Sequence, residues 1–278
     1  MESSKHPVLE AIDKALYDAQ DISHRGHLGA SIIGDKCSRK LWLGFRWATK
    51  VEWEPRMLRL FDRGKLEEDR FVEWLTAAGI TVYQNDPATG KQYRFTGYKG
   101  HFGGELDGVG VGILPNPFLL EFKTHGAKSF EELKAVGVEI AKWSHFVQVQ
   151  IYMGVMSLTQ AVYLAINKNT DEIYAETIPF DQEVYDAFVK RAQEIIDMPE
   201  PPIRLSNQAS WWECKFCEHH ALCHQKAVPE INCRTCVHST PIENAQWHCE
   251  QDRTQAFPII PIDVIKTGCK NYIRHPMD

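Results

Sequence analysis

The chain has 278 residues, 44% of them hydrophobic, and a net charge of −6. That length can bury a full core in one large domain, or in one plus a small appendage, and the acidic balance excludes a protein that coats nucleic acid indiscriminately. No apolar run approaches the roughly eighteen residues of a membrane span, and the polar start, Met1 to His6, lacks a signal peptide's hydrophobic segment, so the expectation is a cytoplasmic protein with no membrane partner.

Residues 7–20, with Pro7, Val8, Leu9, Ile12 and Leu16 at helical spacing, predict a helix over the edge of the core. Cys37 then opens an apolar-periodic helix. From Lys36 to Arg70 there are ten Lys or Arg against six acids, with Trp42, Phe45, Trp47 and Trp53 interleaved. Such a stretch is either a phosphate-tracking surface with stacking platforms, in which Arg39, Lys40, Arg63 and Lys65 contact DNA, or a solvated face over an aromatic core. Pro55 starts the next helix, which Gly79 ends. Gly64 and Glu68 lie within it, the glycine expected to let the helix approach a sheet and the acid to point into a cleft.

Strands are expected at residues 80–84, 92–96, 101–111 and 118–124, with Pro115-Asn116-Pro117 as the turn before the last. Ser129 and Glu132 read as the capping box of a helix. A longer helix, 145–158, places Gln148 and Tyr152 on one face. A hairpin at 160–166 and 172–178 is followed by a helix capped by Asp181, and Met198-Pro-Glu-Pro-Pro202 marks a subdomain boundary.

The strand at 118–124 carries charge where a buried strand should carry none. Glu121 and Lys123 share a face because side chains alternate, and Asp107 joins them if the two strands pair. Two carboxylates and an ammonium at one end of an apolar sheet are costly unless a cation compensates the acids, and oxygen ligands of this kind suit Mg²⁺ or Mn²⁺.

The eight cysteines, in a chain without a secretion signal, read as metal ligands or free thiols rather than disulfides. Cys214, Cys217 and Cys223 are three ligands of a site that wants four, and Cys37 supplies the fourth. Four thiolates suit a [4Fe–4S] cluster, while His219, His220 and His224 permit zinc instead. Cys233, Cys236, Cys249 and Cys269 have the arrangement of a zinc ribbon, with His238 or His248 able to replace one ligand, and predict a small cysteine-rich module.

In order along the chain, Cys37 in its Ser-Arg-Lys context, Gly64 and Glu68, Asp107, Glu121 and Lys123, Gln148 and Tyr152, then the cysteine triplet resemble the PD-(D/E)xK nuclease superfamily. Within it they are most similar to RecB-like exonucleases with an iron-sulfur staple, such as AddB-type, CRISPR adaptation and phage recombination exonucleases. The resemblance covers residues 31–223. It implies an α/β fold, a restriction-endonuclease-like mixed central sheet flanked by helices, over residues 1–228, with the zinc module at 229–278. It also implies Mg²⁺- or Mn²⁺-dependent hydrolysis of DNA phosphodiesters. Glu68, Asp107, Glu121 and the carbonyl of Phe122 would hold metal, Lys123 would orient the water, and Gln148 and Tyr152 would position the strand. An end-resecting enzyme of recombination or repair, beside a single-strand annealing protein, is the implied role. Many relatives carry His near the first acidic motif, where this chain offers only Glu67 and Glu68. A catalytically silent DNA-binding scaffold and a metal- or redox-sensing cysteine protein are the alternatives.

Overall fold

A computed structural model describes residues 6–251 and 259–276. Helix α1 (Pro7–Ala19) begins at a proline whose fixed φ suits a first turn, and none of its residues is buried. β1 (Leu28–Gly29) leads to α2 (Ser38–Phe45), capped by Cys37, whose sulfur accepts from the Lys40 N–H at 3.4 Å. α3 (Pro55–Ala77) follows, again with proline in its first turn. The strands β2 (Thr81–Tyr83), β3 (Arg94–Gly97), β4 (Phe102–Glu105), β5 (Gly108–Val111) and β6 (Phe118–His125) come next. Then come α4 (Ala127–Ala141), α5 (Trp143–Met156), β7 (Gln160–Asn167), β8 (Ile173–Pro179) and α6 (Gln182–Asp197). Asp181 caps α6 by accepting from the N–H groups of Glu183 and Val184. The C-terminal part holds α7 (Trp212–Lys215), α8 (His220–His224), β9 (Ser239–Pro241), β10 (Trp247–Cys249) and α9 (Ile262–Thr267). Among the described residues no helix is long and apolar enough to cross a membrane.

The architecture is α/β. Five strands form a mixed sheet in the order β2-β5-β6-β7-β8, in which only β6 and β7 run parallel. A parallel pair needs a long crossover, and α4 and α5 supply it. The apolar alternation of β6 divides the core. Phe118, Leu120 and Phe122 pack with Phe71, Leu164 and Ile166 under α3, while Leu119 joins Tyr163, Phe130 and Val147 under α4 and α5. α4 turns sharply at Gly137, whose φ of 76° favours glycine, and the freed Val138 N–H donates to Glu176 Oε2 at 2.9 Å.

Three local expectations change and one open alternative is decided. The strand foreseen at 101–111 is two strands in different sheets, β4 pairing with β1 and β3, and β5 with β2 and β6. The chain crosses over at Leu106, whose carbonyl accepts from the Gln92 side chain at 2.9 Å instead of a strand neighbour. Ser129 does not cap α4, which starts at Ala127; its hydroxyl meets His125, and Glu132 pairs with Lys142 at 2.9 Å. Gly64 approaches no sheet: a Cβ there would meet nothing within 4 Å. Trp42, Phe45 and Trp47 are core and not stacking platforms, being at most 4% exposed. The buried indole N–H groups donate to carbonyls, Trp42 to Met198 at 2.9 Å and Trp47 to Arg25 at 2.8 Å.

The packing also runs across the expected boundary at residue 229. Trp247, Ile260 and Ile265 belong to the same apolar cluster as Phe45 and Phe102. Arg46, 2% exposed at the end of α2, donates to the carbonyls of Arg234 and Ser239 at 3.1 and 3.0 Å. Arg234 reaches back to the carbonyls of Phe45 and Gly26, with its guanidinium 3.7 Å from the centre of the Trp47 ring. The tail is therefore fastened to the main core through Arg46, Arg234 and Trp247.

Candidate active site

Pairing of β5 with β6 sets Gly108 opposite Leu120, so Asp107, one residue before β5, falls beside Glu121. The Phe122 N–H donates to Asp107 Oδ2 at 2.7 Å, which fixes that carboxylate on the strand. Glu121 is fully buried. One of its oxygens is taken by the Lys123 ammonium, and the other, Oε2, has no hydrogen-bond partner. Glu68 arrives from α3, held by the stacking of Phe71 on Phe122 at 5.1 Å three residues later. Its neighbour Glu67 is instead buried against Arg70, 2.9 and 3.0 Å from the guanidinium, so Glu68 is the acid of this helix that faces the other two.

Burial dominates the electrostatics. It pushes the Glu121 carboxyl up to about 8 despite Lys123, raises Asp107, and with help from Asp107 pushes Glu68 up to about 7. Burial alone would lower Lys123, but Glu121 and Asp107 outweigh it and the ammonium is held raised. Three acids that resist ionising together fit a divalent cation, as does the unpartnered buried oxygen of Glu121. As the side chains stand, among the described residues no group of three or more His, Cys, Asp or Glu is arranged to hold a metal ion. Lys123 lies against Glu121 instead.

Gln148 and Tyr152 are buried on α5 as one unit, the amide hydrogen-bonded to the phenol, and Glu121 and Asp107 both act on that phenol. Gly104 makes the placement possible, because a Cβ there would lie 2.6 Å from the Tyr152 hydroxyl oxygen. A cavity of about 450 Å³ opens at Glu68 and Lys123, lined also by Gly64, His125, Lys142 and His145 among others, but not by Gln148 or Tyr152. Gly64 thus keeps the wall open.

Of the basic residues named from sequence, Arg39 is 2% exposed and donates to the Pro202 carbonyl at 2.8 Å, so it is a structural cation and no DNA contact. Lys40 pairs with Asp35 at 2.8 Å and lines the cavity of the first cysteine group. Arg63 and Lys65 are exposed on α3, and Arg63 donates to the Lys168 carbonyl at 3.1 Å. Sequence reasoning missed His125, His145 and Tyr163. His125 continues the alternation of Glu121 and Lys123, and His145 precedes Gln148 by one helical turn, so both carried a readable signal.

Cys37, Cys214, Cys217 and Cys223 line one larger cavity, of about 550 Å³, with His219, His220 and His224. Burial pushes the Cys217 thiol up to about 12 and raises Cys214, which Cys37 and Cys223 raise further. In the tail, burial pushes Cys233 up to about 11, and Cys269, Cys236 and Cys249 all act on it in the same direction. The first four cysteines share the lining of one cavity, and the other three tail cysteines act on Cys233, but among the described residues no group of three or more His, Cys, Asp or Glu, these cysteines included, is arranged to hold a metal ion.

No protein-family model matches the chain, and no curated protein matches it. Among solved structures it is similar to SSO0001, with a TM-score of 0.46 and 16% identity over 81% of this chain and 100% of that one. It is also similar to the alkaline exonuclease LHK-Exo from Laribacter hongkongensis, with a TM-score of 0.43 and 16% identity over 66% of this chain and 90% of that one. The LHK-Exo complex with dAMP gives 0.42 and 14% over 67% and 90%. Likeness this loose carries no part of the functional reading, which rests on the residues themselves.

Proposed function

We propose that this chain is a metal-dependent deoxyribonuclease with a restriction-endonuclease-like core. The observation that carries the reading is that Asp107, Lys123 and Glu68 all act on the buried Glu121, one of whose carboxylate oxygens is unpartnered, while Lys123 and Glu68 line the adjoining cleft. Glu68, Asp107, Glu121 and the Phe122 carbonyl would hold one or two Mg²⁺ or Mn²⁺ ions. When bound, such an ion polarises a phosphate and acidifies a water. Lys123, released from Glu121, hydrogen-bonds the attacking water and offsets charge developing on the phosphate. Gln148 and Tyr152 would position the strand. Arg63, Lys65 and Lys168 offer a basic approach on the α3 side.

The same reading assigns a [4Fe–4S] cluster to Cys37, Cys214, Cys217 and Cys223, and zinc to Cys233, Cys236, Cys249 and Cys269. It places the enzyme in end resection during phage-type recombination or repair, beside a single-strand annealing protein. The test is incubation of purified protein with end-labelled linear and circular DNA, with Mg²⁺, Mn²⁺ or chelator. Metal-dependent loss of linear DNA that Lys123→Ala abolishes is the expected result. Undiminished cleavage by folded Lys123→Ala, or no cleavage by the parent protein under any metal, overturns the assignment.

A further inference from the structure

One residue beyond the reach of the proposed chemistry, the same face of β6 carries His125, the middle of a string of hydrogen bonds. Ser129 Oγ lies 3.1 Å from His125 Nδ1, His125 Nε2 lies 3.0 Å from the Tyr163 hydroxyl, and that hydroxyl lies 2.8 Å from His145 Nδ1. Tyr163 sits on β7 opposite Glu121 and is fully buried, with both imidazole rings stacked on its own. A buried phenol is satisfied by any single backbone carbonyl, yet this one is held between two imidazoles. At the end of the string, His145 lines both the cleft, with Lys123, Lys142 and Ser129, and the cavity of the first cysteine group, and its Nε2 has no hydrogen-bond partner among the described residues.

The string constrains what that nitrogen presents. Burial brings His125 down to about 4 and His145 down to about 3, so both rings are neutral at pH 7, and burial raises Tyr163 so that it stays a phenol. A phenol has one proton and donates to one ring only, accepting from the other. Two arrangements follow. In one, Ser129 donates to His125, His125 to Tyr163 and Tyr163 to His145, leaving an N–H at His145 Nε2. In the other every bond is reversed and Nε2 is bare. An anion in the cleft selects the first, and in both the ring is held in one orientation.

We propose that His145, locked by Tyr163 and His125, is a positioning residue for a phosphate group of the nucleic-acid strand, its Nε2–H donating to a non-bridging oxygen beside Lys123. The inference rests on the nuclease reading and adds the subsite that reading lacks. The phosphate is either a backbone phosphate adjoining the scissile one or the terminal phosphate of an end, and the chemistry of the contact is the same.

The test compares the parent protein with His145→Ala, His145→Gln and Tyr163→Phe. Oligonucleotides carrying a 5′-phosphate or a 5′-hydroxyl are titrated in chelator for Kd and cleaved with Mg²⁺ or Mn²⁺ for KM and kcat. His145→Ala is expected to raise Kd and KM about tenfold with a smaller change in kcat, the size of one hydrogen bond to a charged group. Glutamine, which carries an amide N–H near the place of Nε2, restores most of the loss, and Tyr163→Phe shifts the same constants by a lesser factor. A loss confined to the 5′-phosphate substrate makes the phosphate terminal; an equal loss on both makes it internal. If the parent cleaves and His145→Ala leaves Kd and KM unmoved, or glutamine is no better than alanine, the proposal falls and the nuclease reading stands. If the parent neither binds nor cleaves, both fall. Should His145→Ala not fold, His145→Gln and Tyr163→Phe carry the same decision.

Discussion

Replacing Glu121 by glutamine should destroy cleavage and stabilise the metal-free protein, and the size of the gain depends on pH. Burial pushes this carboxyl from its ordinary 4.5 up to about 8. Between those values the folded chain keeps a proton that the unfolded chain has released, so its contribution to stability is fully present below about 4.5 and is lost as pH rises through about 8. At about 1.4 kcal/mol per pH unit the loss by pH 8 is on the order of 4 kcal/mol. Glutamine has nearly the same shape and no charge to bury. It gives up the charged contact to Lys123, which costs about 1–3 kcal/mol. The net expectation is a variant more stable by about 1–3 kcal/mol at pH 8, shrinking to nothing or reversing at pH 5. For a chain this long that is about 2–5 °C in melting temperature. Thermal melts of both proteins in chelator at pH 5 to 8 measure it. Glu68 and Asp107 titrate in both proteins and are coupled to Glu121, so the difference between the curves reports position 121 together with the relief its neutralisation gives those two acids. A variant no more stable than the parent at pH 8, or a gap that does not vary with pH, refutes the reasoning, as does a variant that still cleaves DNA.

Gly104→Ala forces a Cβ to within 2.6 Å of the Tyr152 hydroxyl oxygen and should cost about 1–3 kcal/mol in denaturant melts, with cleavage lowered because Tyr152 must move. Trp247→Ala empties a fully buried site between Phe45 and His101 and should cost about 3–5 kcal/mol; a loss below about 1 kcal/mol would mean that the tail folds apart from the core. Cys214→Ser is expected to strip iron and brown colour from anaerobically purified protein while Cys236→Ser leaves both, read by iron analysis and absorbance; zinc in place of iron at the first cysteine group sinks the cluster assignment.

What could be read from the sequence was whatever depends on neighbours along the chain. The turn at Pro115 to Pro117 and the alternation of Glu121 and Lys123 placed Asp107 beside them, and the register of Gly108 with Leu120 agrees. The helices begun by Pro55 and Asp181 start where their caps required. What failed depended on distant partners. The basic and aromatic stretch at 36–70 could lie inside or outside until Trp42 found the Met198 carbonyl, 156 residues away, and Arg39 the Pro202 carbonyl, 163 away. The break at Leu106 is set by a side chain on residue 92. Tyr163 had no local signal at all, because its neighbour Glu121 comes from the register of a parallel pair closed by a two-helix crossover.

The two cysteine groups stand in different relations to the cleft, and α2 shows why. Its first turn is capped by Cys37, and its last residue is followed by Arg46, which grips the carbonyls of Arg234 and Ser239 on either side of Cys236. One helix therefore joins both groups to the core. Among the described residues the first group has a second connection. Lys142 and His145 line its cavity and also line the cleft that holds Lys123 and Glu68, so these two residues form a shared wall. A change in the volume or charge of the first cysteine cavity reaches His145 directly, whereas a change in the tail must pass through Trp247, Phe45 and the core. The first group is thus placed beside the cleft, and the second beside the core that holds the tail.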